Sequence, residues 1–487
     1  MAFPQRRQFL KSAAVGAVLA PSGLWLPGKS RAAEPEGEPS FPDYRKGQVV
    51  RTSGTVLDSK RALREDGREI PVAGKSQVLV CGGGPAGIAA ALASARSGAE
   101  TRLLEFAGCL GGVWTAGMLT KILDATDKSG IMSEILPALA SRGSSVARDT
   151  SGTVYDPEVA KLVLEEMCVE AGVKIQLHTM VVGAVTDQNN RLKAVVTESK
   201  SGRQVWLADR FVDCTGDGDL AAQAGCGFDV GLGEDCDCQP MSLMALLTGP
   251  PPEQVAPFIR ESGPEAKARL YRFMKQAGID PSYRAPTLRH LHDGIYSLMT
   301  NHEYGVSAFD AGAITEATLR GRREVHEIVA GLRNLGGPWQ SLSVVATAEQ
   351  IGVREGRRVH GRYTITGEDV VAGLSHKQAV CRSKFSIDVH ALELAGNPAY
   401  VEQFRARGAK AFDIPYPALV AKDVDGLLMA GRCISGDFIA HASYRVTGNA
   451  VPMGEAAGRA AAVSIERSQM PHELHWESIG QGQEVAG

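Results

Sequence analysis

The sequence predicts an α/β protein: a mainly parallel sheet with an inserted antiparallel β-meander, joined to a second, mixed α+β domain. Three observations predict it. A short apolar run, Val78-Leu79-Val80-Cys81, leads into a glycine-rich turn and then an alanine-rich stretch, the order strand, turn, helix. Short β-patterned runs follow between residues 172 and 207, with turn residues Asn189-Asn190 and Ser201-Gly202 between them. A second apolar run, Gly426-Leu427-Leu428-Met429-Ala430, again enters glycine and is followed by an alanine-rich helix at residues 452–465.

The first turn carries the most chemistry. Gly82-Gly83-Gly84-Pro85-Ala86-Gly87 satisfies G-x-G-x-x-G. Gly82 permits the tight turn, Gly84 lets the backbone approach a pyrophosphate, and Gly87 lets helix and strand pack closely. The helix, residues 88–97, stops at Gly98, and its free amides and positive dipole end face the phosphates. Thr101-Arg102-Leu103-Leu104 reads as the next strand, with Glu105 at its end, where an acid accepts hydrogen bonds from a ribose hydroxyl. Glycines alone are weak evidence; with strand, helix and acid in order they predict a dinucleotide site.

Past Glu105 the chain continues Phe106-Ala107-Gly108-Cys109-Leu110-Gly111-Gly112. Here the sequence resembles the FAD-dependent oxidoreductases that share their flavin domain with heterodisulfide-reductase A-type flavoproteins. The resemblance implies an FAD-binding, Rossmann-like domain of the glutathione-reductase type. It implies that Gly111 and Gly112 lie along the pyrophosphate and ribityl chain, and that the segment from Val113 to Gly117, with Thr115, passes near the isoalloxazine ring. Two later stretches carry it too. One is Thr215-Gly216-Asp217-Gly218-Asp219, after the strand Arg210-Phe211-Val212-Asp213-Cys214. The other is Gly431-Arg432-Cys433-Ile434-Ser435-Gly436-Asp437, followed by His441-Ala442-Ser443-Tyr444-Arg445-Val446-Thr447-Gly448-Asn449 and the helix bearing Gly454-Glu455-Ala456-Ala457-Gly458. The implied cofactor set is Gly82, Gly84, Pro85, Ala86, Gly87, Glu105, Gly111, Gly112, Thr115, Thr215, Gly216, Asp217, Gly431, Arg432, Asp437, Gly448 and Asn449. Pro452 is expected in the first turn of the last helix. That helix start is implied to face the flavin's pyrimidine edge and to stabilise charge there.

The remaining chain divides around these stretches. Arg6-Arg7-Gln8-Phe9-Leu10-Lys11 and the broken apolar run after it read as a twin-arginine signal over residues 1–32, cleaved after Ala32. Residues 33–75 read as a linker, with Arg68-Glu69-Ile70-Pro71-Val72 resembling a strap of the family. Residues 76–249 and 411–470 form a discontinuous FAD domain, 250–410 the substrate domain, and 471–487 a tail. The substrate domain holds a helix at 311–335, a strand at 342–348, and Ile351-Gly352-Val353-Arg354-Glu355-Gly356-Arg357-Arg358, which resembles a family stretch. Its arginines read first as salt-bridged; Arg354 is the candidate for holding a substrate anion.

Composition narrows the partners. Net charge is only −3, which excludes nucleic acid and anionic membrane surfaces as expected partners. The nine cysteines include no C-x-x-C, so an iron–sulfur cluster is not expected. Cys81, Cys168 and Cys214 sit in apolar patterns and read as packing. Whether Cys226, Cys236 and Cys238 form a disulfide stays open, and His290, His292 and His302 do not form a metal set. No metal is predicted.

The expected chemistry is a flavin oxidation. His441 is the first candidate for proton handling near neutrality, with Tyr444 and Arg445 orienting substrate or Arg445 pairing with Asp437. Only one dinucleotide fingerprint occurs, so a small soluble substrate reduces the FAD and the electrons leave to an unknown acceptor other than NAD. The alternative is an electron-transfer subunit of a heterodisulfide-reductase-like complex. Further expectations are the twin-arginine export machinery as a partner and a periplasmic or secreted location. Association into a homo-oligomer is left open.

Overall fold

The chain is described by a computed structural model over residues 53–57, 62–67, 69–144, 148–149, 152–233, 237–393 and 396–479. The twin-arginine segment, the cleavage point and Cys236 lie outside those residues. The chain forms two units, residues 1–66 and 67–487. In the first, strands Gly54–Leu57 and Ala62–Glu65 pair as an antiparallel hairpin.

The second unit is built on strand β1 (Val72–Cys81), whose last four residues are completely buried. Helix α1 (Pro85–Arg96) follows with Pro at its first position, where a missing N–H costs nothing. Its first ten residues are all buried, which an alanine-rich helix allows because little side chain separates it from its neighbours. Then come β2 (Thr101–Leu104), α2 (Pro157–Glu170), β3 (Lys174–Gln176), and the meander strands β4 (Met180–Thr186), β5 (Leu192–Ser199) and β6 (Gly202–Asp213).

Strands β3, β2, β1 and β6 lie side by side and parallel, while β4, β5 and the first half of β6 run antiparallel. The sequence suggested two strands where β6 is one. Its register with β1 runs unbroken in direction from Val205 opposite Val72 to Asp213 opposite Cys81. β6 therefore pairs with β5 along one edge and with β1 along the other, and Val205, Trp206 and Leu207 are paired on both sides.

A second sheet has its own core. Strands β7 (Ala245–Thr248), β8 (Thr287–His292), β9 (Ile295–Met299) and, after helix α3 (Ala311–Asn334), β10 (Ser343–Thr347) pair antiparallel in the order β8-β9-β7-β10. Tyr296, Val325, Ile328 and Trp339 are buried together beneath it. This sheet starts before residue 250, since β7 is one of its two inner strands. Asp310 caps α3 by accepting from the Ala313 N–H at 3.0 Å.

The chain then returns. Strand β11 (Ala379–Ser383) pairs with β12 (Phe412–Pro415), and β13 (Leu427–Met429) joins the parallel sheet beside the end of β6. A short helix α4 (Phe438–Tyr444) leads to α5 (Thr447–Glu466). Pro452 is not in the first turn of α5, as expected, but inside the helix. The start moves back to Thr447 because Gly448, Asn449, Ala450 and Val451 are buried in helical conformation. The proline only deprives the Gly448 carbonyl of its intrahelical donor. No helix among the described residues is long and apolar enough to cross a membrane.

Candidate functional site

The three glycine-bearing segments meet at the C-terminal ends of β1, β6 and β13. Gly82 has φ +99°, and a Cβ there would lie 2.3 Å from the Cys214 carbonyl oxygen, so neither another residue nor another backbone path fits. A Cβ on Gly87 would lie 1.7 Å from the Gly82 oxygen. Gly84 is different: its backbone is ordinary (φ −72°), and a Cβ would meet no protein atom within 4 Å. The first two glycines serve the fold; the third keeps a space open. The Gly111 N–H donates to the Gly83 oxygen at 2.8 Å, bringing the Leu110-Gly111-Gly112 loop against the same turn. The third segment arrives through Gly431, whose Cβ would stand 3.1 Å from that of Ala86.

Helices α1 and α5 pack with almost nothing between them. A Cβ on Gly454 would lie 2.0 Å from the Ala86 oxygen, and one on Gly458 would lie 2.0 Å from the Ala90 oxygen. Four residues on each helix separate these contacts, so the helices run parallel and both N-termini point the same way. Neither N-terminus has a side-chain cap. From the contact at Gly454, α5 extends six residues further toward that end than α1 does, about 9 Å at 1.5 Å per residue. Two anion-attracting helix ends thus stand staggered on one side of the sheet.

The acids around them are mostly occupied. Glu105 accepts from the Gly83 N–H at 2.5 Å and from the Ala107 N–H at 2.7 Å, with burial raising its carboxyl above the usual range. Each of its oxygens retains a second lone pair for a ribose hydroxyl. Thr115 donates to the Leu110 oxygen at 2.6 Å and so holds the glycine loop. Asp213, which sequence reasoning passed over, accepts from the Thr215 N–H (3.0 Å), the Thr215 hydroxyl (2.7 Å) and the Ala221 N–H (2.8 Å). An Asp ending a buried strand before Thr-Gly was the signal available. Asp217 pairs with Arg432 at 2.7 Å, and Arg432 also donates to the Gly216 oxygen at 3.0 Å, joining the second and third segments.

Several residues depart from expectation. Asp437 does not pair with Arg445; its oxygens accept from the Ala440 N–H (2.8 Å) and the Gly367 N–H (2.7 Å), so it caps α4. Tyr444 cannot orient a substrate, because it is fully buried and its hydroxyl donates to the Ile434 oxygen at 2.8 Å. His441 is not a group titrating near neutrality. It is fully buried on α4, and burial, then Arg358, Arg445 and Arg432, push its imidazole well below its ordinary value. Arg445 instead faces Asp388, donating to its carbonyl at 2.9 Å with the carboxylate at 3.5 Å.

Buried polar atoms without a protein partner test whether a cofactor fits here. Thr447 Oγ1 and Asn449 Oδ1 lie in the first turn of α5, and Trp114 Nε1 lies just past the glycine loop. Such atoms are costly unless something else bonds them. With the open space at Gly84 and the two uncapped helix ends, these groups fit FAD: α1 suits its pyrophosphate and α5 its ring.

A group of residues that the sequence did not bring together adjoins Arg445. Tyr283 stacks on His302 with centroids 4.1 Å apart, and His302 meets His390 edge-on at 5.0 Å. His390 lies 3.4 Å from Asp388. Burial, then Arg354, push the His302 imidazole down to about 2 and that of His390 down to about 4, so both are neutral. Burial alone would raise Asp388, but the His390 hydrogen bond and the Arg445 and Arg354 charges hold it well below the usual carboxylate range. Gln239 links the group: its Oε1 accepts from Arg445 at 3.3 Å and from the His390 N–H at 3.1 Å. These residues come from positions 239 to 445, and no local spacing announces them.

Among solved structures, the chain is similar to a geranylgeranyl bacteriochlorophyll reductase-like protein from Thermoplasma acidophilum, at 12% identity and a TM-score of 0.43 over 84% of this chain and 82% of that one. It is similar also to the flavin-dependent brominase Bmp2, at 11% identity and a TM-score of 0.45 over 83% and 82%. A flavoprotein/dehydrogenase from Cytophaga hutchinsonii gives 13% identity and a TM-score of 0.42 over 83% and 80%. No curated protein matches the chain. The family model described as FAD dependent oxidoreductase matches residues 77–483, and the chain belongs to that family: it is an FAD-dependent oxidoreductase.

Proposed function

We propose that this enzyme is a dehydrogenase that oxidises a small soluble substrate and passes the electrons to an acceptor other than NAD. The observation that carries the reading is that Arg445 ends two residues before α5, so the polar group around His302 and Asp388 adjoins the helix start suited to the flavin ring. Bound FAD supplies a two-electron acceptor. The protein binds and orients the substrate.

His302 orients the substrate as a neutral hydrogen-bond acceptor: burial, then Arg354, push its imidazole down to about 2, so like His441 it does not take up a proton near neutrality. Its Nδ1 lies 3.3 Å from the Tyr304 hydroxyl, which lies 3.4 Å from the Ser282 carbonyl oxygen. That carbonyl only accepts, so the hydroxyl donates to it and Nδ1–H donates to the hydroxyl. Nε2, buried and without a partner, is then left with a lone pair to accept a hydrogen bond from the substrate. The single dinucleotide turn is what supports an acceptor other than NAD. The twin-arginine pattern at Arg6-Arg7 supports export to the periplasm or beyond.

Anaerobic titration of the FAD-loaded enzyme with a panel of alcohols, amines and acids tests this. Bleaching of the flavin by one compound, and not by NADH, is the expected result. Reduction only by a co-purifying protein would point to an electron-transfer subunit, and no reduction at all would end the dehydrogenase reading.

A further inference from the structure

Resting on that reading, we propose that the substrate is an organic acid, its carboxylate held by Arg354 and Arg445 beside the start of α5. The three arginines of the 351–358 stretch have different fates. Arg357 pairs with Asp219 at 2.9 Å and covers the Phe309 ring, and Arg358 pairs with Glu355 at 2.6 Å. Arg354 has no carboxylate within ion-pair distance among the described residues. Its guanidinium donates to the Pro240 carbonyl (2.5 Å), the Ser242 hydroxyl (2.9 Å) and the Met299 sulfur (3.8 Å), all neutral. A desolvated guanidinium with only neutral partners is unfavourable until an anion joins it.

Arg445 is tethered to the same strut. Arg445 bonds Gln239 Oε1 and Arg354 bonds the carbonyl of the next residue, Pro240. The Nε of Arg445 is buried with no partner and is an N–H donor. Two cationic forks at one place match the acceptor-rich edge of a carboxylate.

The charge balance agrees. Burial, then Arg289 and Arg260, push the Lys267 amine down to about 8, and Asp388 acts on it in the opposite direction. Asp388 also faces Arg354 and Arg445. Glu355 pairs with Arg358 and also acts on Arg445, and Glu261 is shared by Arg289 and Lys121. Cations therefore outnumber the acids around Asp388, an excess that an anionic substrate offsets.

The test is a titration of oxidised, FAD-loaded enzyme with malate, glycolate and benzoate, and with malamide, ethylene glycol and benzyl alcohol as neutral counterparts, followed by the flavin absorption bands. At least one acid is expected to perturb the bands saturably, at concentrations well below its neutral counterpart. Arg354→Gln is expected to weaken that binding by roughly 30-fold or more without changing flavin content, and Arg354→Lys to recover part of it. Equal effects of acids and neutral counterparts, no perturbation by any acid, or unaltered binding in Arg354→Gln overturns the proposal. The acid-against-neutral comparison in the unmodified enzyme decides the matter even if the glutamine variant fails to fold. Arg354-dependent acid binding without reduction by any compound sinks the dehydrogenase reading and leaves the carboxylate site standing. Bleaching by neutral compounds alone does the reverse.

Discussion

Replacing Gly84 by alanine separates cofactor binding from folding. The backbone at Gly84, φ −72° and ψ −175°, is open to any residue, and the added Cβ meets no protein atom within 4 Å. Loss of glycine's freedom in the unfolded chain stabilises by about 0.4–1 kcal/mol. Alanine is a poorer N-cap than glycine, and that costs about as much. The apoprotein is therefore expected to unfold in urea within about 0.5 kcal/mol of the original. FAD meets a different surface, because the methyl group fills the space where the backbone approaches the pyrophosphate. Overpacking of 1–3 kcal/mol corresponds to a dissociation constant raised roughly 5- to 150-fold. Gly87→Ala is the contrast: its Cβ would lie 1.7 Å from a backbone oxygen, so the fold itself is expected to suffer. The assay pairs urea unfolding of apoprotein with fluorescence-quenching titration of FAD. Unchanged FAD affinity in Gly84→Ala, or an unstable apoprotein, would refute the reasoning.

Other expectations follow from the same geometry. Arg432→Gln leaves Asp217, already raised by burial, without its cation and is expected to cost about 2 kcal/mol in urea unfolding at pH 7. Adding Asp217→Asn should recover much of that loss; no recovery would mean the pair is not what Arg432 contributes. His390 takes up its proton only near pH 4 in the folded chain because of burial, then the Arg354 charge, against about 6.5 unfolded. The unfolded chain thus binds more protons between those values, and stability falls as pH drops from 6.5 toward 4, by up to roughly 3 kcal/mol. His390→Gln should flatten that limb of the unfolding profile, and an unchanged slope would count against it. Cys81, Cys214 and Cys433 are buried with thiols pushed well above their ordinary range. They should resist a thiol reagent until the protein unfolds, as mass spectrometry of the labelled chain will show.

What could be seen in the sequence was whatever depends on neighbours along the chain. The steric demand at Gly87 comes from Gly82, a few residues away. The positive φ of Gly82, the helix that follows and the strand before it are local too, although the atom a Gly82 Cβ would strike belongs to Cys214. The Asp437-x-x-Ala440 cap was legible in the same way, although the acid was assigned to the cofactor instead. Pro452 misled because the rule placing proline in a first turn is local, whereas burial of residues 448–451 pulled the helix start back. Arg354, Glu355, Arg357 and Arg358 show the limit most clearly. They are nearly contiguous, yet Asp219, Phe309, Pro240 and Ser242, which decide what each does, come from other parts of the chain. Tyr283, His302, Asp388 and His390 share no spacing at all. Only the packing of the second sheet against the returning chain makes them neighbours.

The contact between Ala86 and Gly454 also has a consequence for assembly. The two helix starts that suit one coenzyme are separated by more than 350 residues of polypeptide, so half a cradle exists for most of the time the chain takes to emerge from the ribosome. Closure over so long an interval is slow relative to local folding. Coenzyme capture is therefore a late event, and a nascent chain stopped anywhere before residue 447 should leave the ribosome colourless.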